Sequence, residues 1–330
     1  MAKLDLKAET KTVEEEKIRL GVSACLLGHK VRYDGSHQRD PFVVDMLGAF
    51  VEYVPACPEV ECGMGVPRES MKLEENSPLP LLVPHKSRKD FTNRMVEWAR
   101  GKLIELEGKN LCGFIFKSRS PSCGIERVKI YNKSGAVVGQ GSGIFARMFM
   151  DCFPYIPVED EGRLNDPKLR ENFIERIFVF HRWQKVSNSG RSLKNLIEFH
   201  ERHKLILMAH SPEILRKLGR IVASSSDRSF GKTVLKEYED LLWKGMKLLA
   251  TPRKHSNVLY HCMGFFKKNL TPDEKQEMIE IIEAYRAGHV PLIVPITLIN
   301  HYVRKYKPSY LESQYYLNPH PIELRLRNHV

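Results

Sequence analysis

The stretch Ile18–Ala24 (IRLGVSA) is a short apolar run that leads directly into Cys25. Its length and its content of Ile, Leu and Val are typical of a buried β-strand. Two further runs lead to a cysteine in the same way: Val51–Ala56 (VEYVPA) before Cys57, and Leu111–Lys117 (LCGFIFK) before Cys123. The first half of the 330-residue chain therefore holds three predicted strands that each end near a thiol.

Helical patterns separate these runs. A short helix is predicted over Pro41–Phe50, and Asp90–Lys109 carries apolar residues at the spacing of an amphipathic helix. The series is completed by strands at Val128–Tyr131 and Tyr155–Val158 and by a helix over about Gly143–Cys152. Alternation of this kind predicts a Rossmann-like parallel sheet flanked by helices. Because ligands bind at the carboxyl ends of strands in such sheets, we expect the three cysteines to share one site.

Beyond the polar stretch Glu159–Asp166 (EDEGRLND), nearly every segment has a helical pattern. Apolar residues lie on one face of a predicted helix at Leu193, Leu196 and Ile197. Helix starts are predicted at Ser211-Pro212 and Thr271-Pro272, and a helix end at Gly288.

The predicted fold class is therefore α/β, with the N-terminal Rossmann-like parallel sheet followed by an all-α C-terminal domain. The predicted division of the chain is a flexible tail at residues 1–17, a catalytic domain at 18–160 and a basic helical domain at 161–330.

Positive charge is concentrated in the second half. Residues 1–160 hold 23 Lys and Arg against 22 Asp and Glu, whereas residues 161–330 hold 29 against 18, a net charge of +11. Such a charge favours nucleic acid as a partner, and a merely solubilising surface is the alternative. Three patches mix aromatic or His residues with Lys and Arg and are expected to face RNA: Phe199–Lys204, Phe265–Lys268 and Tyr302–Lys307.

The chain is expected to be cytoplasmic. Its opening residues (MAKLDLKAETKTVEEEK) lack the apolar core of a signal peptide, and no apolar run approaches the roughly 20 residues of a membrane span. In a reducing compartment, six cysteines in the first half point to metal ligands and not to a disulfide framework. Zinc and unliganded packing cysteines are the alternatives, although the spacing of Cys112 and Cys123 does not make a zinc knuckle.

Four segments surround the cysteines with Gly, Ser and Pro: Ser23–Gly35 (SACLLGHKVRYDG), Cys57–Arg68 (CPEVECGMGVPR), Lys117–Gly124 (KSRSPSCG) and Gly139–Phe145 (GQGSGIF). Small residues let backbone amides approach the sulfurs of an iron–sulfur cluster. The helix that follows the last segment is also expected to offer its N-terminus to an anion.

In order and spacing, these segments resemble the thiouracil desulfurase (TudS) family over about residues 18–157. The second half resembles the YbgA-type domain through Phe199–His210 (FHERHKLILMAH) and Leu218–Ala223 (LGRIVA). A chain that joins the two resembles the bacterial tRNA 4-thiouridine desulfidases. The resemblance implies a 4Fe-4S cluster held by Cys25, Cys57 and Cys123, with the fourth iron open to the thiocarbonyl sulfur.

The same resemblance implies roles for four other residues. Glu59 is the candidate general acid or base, and Ser120 is the candidate serine for proton relay or for binding the reacting base. Ser118 and Asp34 are candidate substrate-binding residues, with Asp34 also a candidate for orienting the first cysteine loop. An ion pair with Arg68 is the alternative role for Glu59.

The implied reaction exchanges the thiocarbonyl sulfur of 4-thiouridine, in tRNA or as the free nucleoside, for oxygen without redox change, and releases sulfide. Two alternatives stay open: scavenging of free 2-thiouracil, and RNA binding by a metal-stabilised protein without turnover. Cys62 and Cys112 are expected to be packing residues, because a buried free cysteine behaves as a small apolar residue.

Overall fold

A computed structural model describes residues 17–77, 79–188, 192–226 and 230–329. The predicted flexible tail lies outside the described residues except for Lys17. Within the described residues, eight strands form two four-stranded sheets: β1 (Ile18–Ser23), β2 (Val51–Ala56), β3 (Met71–Glu74), β4 (Leu81–Pro84), β5 (Gly113–Phe116), β6 (Val128–Tyr131), β7 (Val137–Gly141) and β8 (Val158–Asp160). The predicted α/β class, with a helical region after the parallel sheet, is confirmed.

The first sheet is parallel throughout, in the order β2-β1-β5-β8. The strands predicted around β1, β2 and β5 are confirmed within one or two residues at each end. The strand predicted at Tyr155–Val158 is wrong, because the chain turns there and pairs only from Val158 onward. Ile156 donates its N–H to the carbonyl of Phe153 at 3.2 Å, which closes that turn.

The second sheet was not predicted. Its order is β4-β3-β6-β7, with two antiparallel hairpin pairs joined by the parallel pair β3 and β6. The strand predicted at Val128–Tyr131 is correct but belongs to this sheet. The other three strands are only four or five residues long, and β7 contains two glycines, so their sequences lack a clear period of two.

Eleven α-helices lie within the described residues: α1 (Pro58–Glu61), α2 (Thr92–Glu107), α3 (Ile144–Cys152), α4 (Pro167–Asn188), α5 (Leu193–His210), α6 (Pro212–Ser224), α7 (Lys232–Met246), α8 (Pro252–Gly264), α9 (Pro272–Arg286), α10 (Ile293–Tyr306) and α11 (Ser309–Glu312). The helix predicted at Pro41–Phe50 is a π-turn over Phe42–Met46 followed by a 3₁₀ turn over Leu47–Ala49. None of the described helices is long and apolar enough to cross a membrane.

Helices cover both faces of the parallel sheet. On one face, Phe114 and Phe116 from β5 meet Phe145 and Phe149 from α3, with ring centroids 4.9 to 6.0 Å apart. On the other face, buried residues of β1 and β5 form one continuous core with the helical half. The packing of α4 contributes to that core through Phe173 and Ile177. The two halves of the chain on either side of the predicted boundary at residues 159–166 therefore share one hydrophobic core.

The predicted helix starts and end in the second half are confirmed. The side chains of Ser211 and Thr271 cap α6 and α9, and Thr271 forms a full capping box with Glu274. Gly288 follows α9 with a left-handed backbone, φ +78°. Ile197, which was placed on the apolar face of its predicted helix, is exposed.

Two histidines expected on an RNA-facing surface are buried instead. The Nδ1 atom of His200 lies 3.0 Å from the hydroxyl of Tyr238, and the Nδ1 atom of His203 lies 2.7 Å from the carbonyl oxygen of Phe199. Burial lowers the pKa of His203 to about 3. The prediction that these histidines face RNA is therefore wrong, because packing of α5 against its neighbours buries both of them.

Candidate active site

A cavity of about 580 Å³ opens at the carboxyl ends of the parallel strands. Six of the seven predicted site residues line it: Cys25, Cys57, Glu59, Ser118, Ser120 and Cys123. The prediction that strand ends bring the distant cysteines to one place is therefore supported by the geometry. Asp34 is not among the described residues that line this cavity.

Each thiol is presented by a turn that follows a strand. Cys25 lies in a 3₁₀ turn after β1, Cys57 is the residue before α1, and Cys123 lies in the loop after β5. All three are free cysteines. Burial is the main cause that raises the pKa of Cys25 to about 11, and the neighbouring Cys57 adds to it. Burial also raises the pKa of Cys57, and raises that of Cys123 well above its usual value.

The start of α3 holds the Cys123 loop. The amides of Ile144 and Phe145 donate to the carbonyls of Pro121 and Ser122 at 3.1 and 3.0 Å. A Cβ atom at Gly143 would lie 2.6 Å from the carbonyl carbon of Ser122, so only glycine lets the two segments approach this closely. The prediction of an anion site at this helix N-terminus is therefore wrong, because the backbone amides there already donate to carbonyls of the Cys123 loop.

Ser120 shapes the same loop. Its Oγ accepts hydrogen bonds from the amides of Ser122 and Cys123 at 3.2 and 3.1 Å. These bonds use the two acceptor positions of the hydroxyl, and its hydrogen has no acceptor among the described residues. Because Ser120 lines the cavity, that hydrogen is free to be donated into it.

Three hydrogen bonds hold the carboxylate of Glu59. Its Oε2 accepts from Arg68 Nε and Nη2 at 2.9 and 2.5 Å, and its Oε1 accepts from the hydroxyl of Ser122 at 2.9 Å. Arg68 also donates to the carbonyls of Val31 and Gly65, which fixes the loop between two walls of the cavity. The ion pair with Arg68 that sequence reasoning left as an alternative is present, and Oε1 retains one acceptor position.

A second carboxylate, Glu161, was missed by sequence reasoning. Its Oε1 accepts from the hydroxyl of Ser118 at 2.6 Å and from Lys117 Nζ, and its Oε2 accepts from the amide of Ser118 at 2.7 Å. Lys117 Nζ also donates to the hydroxyl of Ser118 at 3.1 Å. Glu161 follows β8 in a stretch that reads as a polar linker, so only the sheet order brings it to Ser118.

The remaining predicted residues have structural contacts. Asp34 accepts from the amide and hydroxyl of Ser36 at 3.0 and 2.6 Å, which is consistent with orienting the first cysteine loop. Cys62 packs in a small apolar cluster, and the thiol of Cys112 lies against Gln184 of α4 at 3.2 Å. Cys152 is exposed.

The three thiols form a donor set that suits a soft metal centre. Cys25 and Cys123 are buried and Cys57 is partly buried. The raised pKa values of all three keep them protonated at neutral pH, and a bound metal cation would stabilise their thiolate forms. Among the described residues, no three His, Cys, Asp or Glu side chains converge on a position for a single metal ion. Thiolates are the ligands that iron–sulfur clusters and other soft metal centres take in proteins.

Both halves of the chain are similar in sequence to known proteins. The sequence model described as 2-thiouracil desulfurase matches residues 20–161, and the model described as protein of unknown function (DUF1722) matches residues 204–321. The Escherichia coli (strain K12) protein called Uncharacterized protein YbgA is 30% identical over 165 residues, which are 50% of this chain and 98% of that protein. The Bacillus subtilis (strain 168) protein called Uncharacterized protein YbbK is 30% identical over 150 residues, 44% of this chain and 97% of that protein.

The chain belongs to the 2-thiouracil desulfurase family and carries a YbgA-type domain. A solved structure titled [4Fe-4S]-dependent thiouracil desulfidase TudS is 30% identical and covers 46% of this chain and 95% of its own, with a TM-score of 0.38. Apart from Gly162 and Arg163, the residues that line the thiol cavity lie within the segment that matches the desulfurase model.

Proposed function

We propose that this desulfurase depends on an iron–sulfur cluster and acts on 4-thiouridine, in tRNA or as the free nucleoside. The reaction exchanges the C=S group of the base for C=O. Water supplies the oxygen and two protons, sulfur leaves as hydrogen sulfide, and no electron is gained or lost. The observation that carries the proposal is that three free thiols, two of them buried and one partly buried, line one cavity at the strand ends.

Cys25, Cys57 and Cys123 would hold a 4Fe-4S cluster. When bound, such a cluster with three protein ligands supplies one open iron that acts as a Lewis acid toward sulfur. The structure supports this assignment over one with Cys62 or Cys112, because both of those thiols pack away from the cavity.

Two serines match the hydrogen-bonding edge of a uracil base. Ser120 has a hydroxyl hydrogen left to donate, whereas the hydroxyl hydrogen of Ser118 is committed to Glu161. Ser118 therefore faces substrate as an acceptor, suited to the N3–H group of the base, and Ser120 faces it as a donor, suited to an oxygen or sulfur. Glu161 and Lys117 hold Ser118 in that state.

Glu59 is placed to handle the proton of the attacking water. Its side chain lines the cavity, and Oε1 has one acceptor position left after the bond from Ser122. A carboxylate held by a guanidinium is fixed in place, which keeps a general base aligned with the water that it activates.

The helical half is proposed to bind the RNA. Its net charge of +11 suits the phosphate backbone, and Lys267, Lys268, Arg304 and Lys307 are exposed on two of the three predicted patches. Affinity for tRNA is then expected to fall steeply with salt, because each neutralised phosphate releases a counterion.

Free 2-thiouracil is the second candidate substrate, since the matching family model is described by that base. The test is sulfide release by the anaerobically reconstituted full chain, given thiolated tRNA, 4-thiouridine and 2-thiouracil in parallel. The full chain is needed because Glu161 and the shared core lie at or beyond the predicted boundary. Release from 4-thiouridine substrates supports the proposal; release from 2-thiouracil alone would favour the scavenging enzyme.

A further inference from the structure

A second cavity, of about 740 Å³, lies at the junction of the two halves of the chain. Ile18, at the start of β1, and Phe50, just before β2, line it, whereas the thiols follow the carboxyl ends of the same strands. The helical half supplies the other walls, from α4, α5 and the segment 315–321. The volume is in the range of small-molecule sites, about 300–1,000 Å³. No step of the proposed reaction uses this second cavity.

Two histidines that line the second cavity carry buried nitrogens without a partner. The Nδ1 atom of His203 lies 2.7 Å from the carbonyl oxygen of Phe199. The Nδ1 atom of His320 lies 3.2 Å from the carbonyl oxygen of Pro321. A carbonyl oxygen only accepts, so both Nδ1 atoms carry the ring hydrogen. Both Nε2 atoms are buried and have no hydrogen-bond partner among the described residues.

These two Nε2 atoms are hydrogen-bond acceptors. Burial lowers the pKa of His203 to about 3 and that of His320 to about 4, so both rings are neutral at pH 7. A neutral ring with its hydrogen on Nδ1 has a lone pair on Nε2. Leaving a buried acceptor without a donor is destabilising, and native structures usually supply a partner. A ligand that fits this part of the second cavity therefore brings N–H or O–H groups.

The open end of the second cavity is positively charged. Four cationic side chains line the cavity against one acidic side chain, that of Glu198, which leaves a net charge of +3; the four are Lys17, Arg182, Lys185 and Arg202. Glu198 lies 3.3 Å from Arg202. Lys17 and Lys185 are exposed, and the side chain of Arg202 is 41% exposed, so the charge lies toward solvent. We call this end the mouth of the cavity.

Tyr315 holds two of these cations close to one another. The guanidinium carbon of Arg182 lies 3.9 Å from the centroid of the Tyr315 ring, and that of Arg202 lies 5.0 Å from it. Two positive charges held at one ring repel each other, and a bound anion relieves that repulsion. A guanidinium also offers a fork of donors that matches the oxygens of a phosphate. The mouth therefore suits an anionic group, whereas the buried part suits hydrogen-bond donors.

We propose that the second cavity binds a free nucleotide whose base carries an amino group, such as adenosine 5′-monophosphate (AMP). The amino hydrogens meet the buried imidazole acceptors, and the phosphate meets the cations of the mouth. A uracil edge fits less well, because its oxygens would face the lone pairs of the Nε2 atoms. A free nucleotide is favoured over RNA, because a base within a strand reaches buried groups only when it is flipped out. The proposal is independent of the reaction at the thiol cavity.

Calorimetric titration of the full chain with AMP, adenosine and uridine 5′-monophosphate (UMP) tests this proposal. We expect AMP to bind and adenosine to bind about tenfold or more weakly, the effect of one charge-assisted hydrogen bond. UMP should bind several-fold more weakly than AMP. Lys185→Gln and Arg202→Gln should each weaken AMP binding several-fold. His203→Phe removes a buried acceptor and should do the same in a protein that thermal unfolding shows to be folded; the two mouth variants carry the test if it does not fold.

Two control variants locate the site. Arg119→Gln alters the wall of the thiol cavity, and Lys267→Gln alters an exposed lysine on another patch, so both should keep the affinity for AMP. No binding of AMP, equal affinity for all three ligands, or unchanged affinity in both mouth variants would overturn the proposal. Loss of AMP binding in Arg119→Gln alone would place the nucleotide in the thiol cavity and also overturn it. Binding of tRNA, but not of AMP, that weakens in the mouth variants would assign this surface to RNA instead.

Discussion

Replacing Glu59 by glutamine separates its two candidate roles. The Glu59 and Arg68 side chains are only 14% and 8% exposed, so the change removes one charge of a nearly buried pair. Glutamine can still accept a hydrogen bond from Arg68, and we expect a stability loss of about 1.5–3 kcal/mol. If Glu59 moves the proton of the attacking water, the rate of desulfuration should fall roughly 10²–10⁴-fold with iron content unchanged.

Arg68→Met is the matched variant. It leaves Glu59 buried without its partner and also breaks the bonds to the carbonyls of Val31 and Gly65, so its stability loss should be larger, about 3–5 kcal/mol. A catalytic Glu59 predicts a crossed pattern, in which Glu59→Gln loses more activity and Arg68→Met loses more stability. Steady-state sulfide release and thermal unfolding measure the two effects. Near-normal turnover in Glu59→Gln, or activity losses that follow stability in both variants, would refute the catalytic role.

Three other changes have defined outcomes. Alanine at Cys25, Cys57 or Cys123 should abolish iron retention, whereas Cys152→Ala should keep it; full iron content in any of the first three variants removes that cysteine from the ligand set. Gly143→Ala should displace the Cys123 loop, lower the free energy of unfolding by about 1–3 kcal/mol and reduce iron content, because the new Cβ would lie 2.6 Å from the carbonyl carbon of Ser122. As a control, Gly139→Ala should behave as wild type, because no atom lies within 4 Å of the Cβ position there. Acidification below pH 6.5 should destabilise the fold, because burial lowers the pKa values of His203 and His255 to about 3. Between those two pH values the unfolded chain binds more protons than the folded chain. Each histidine then lowers the free energy of unfolding by up to about 1.4 kcal/mol per pH unit. Burial raises the pKa of Glu171 to about 7 and opposes this effect only between pH 7 and 4.5, so a thermal midpoint that rises from pH 6 to pH 4 would contradict the expectation.

The sequence allowed prediction of the parts of the site that depend on strand ends. Cys25 and Cys57 directly follow apolar runs, and a parallel sheet places such positions at one edge whatever the details of packing. The same argument reached Cys123 through β5. The helix caps at Ser211 and Thr271 were predictable for a similar reason, because capping depends on residues within one turn.

Contacts between distant segments could not be predicted in this way. Glu161 reaches Ser118 only because β8 pairs with β5, and the polar sequence around it is typical of a linker. The bond from Ser122 to Glu59 joins residues 63 positions apart. His203 sits among basic residues and reads as exposed, but packing within the helical half buries it.

Three thiols at the strand ends are proposed to hold a cluster that removes sulfur from 4-thiouridine. The most direct test is sulfide release from 4-thiouridine by the anaerobically reconstituted full chain, with iron and acid-labile sulfide determined on the same sample. We expect an iron–sulfur protein that releases one sulfide for each uridine formed, and a Cys123→Ala variant that binds no cluster and releases no sulfide. An iron-loaded protein that leaves 4-thiouridine intact, or sulfide release that persists without iron, would contradict it.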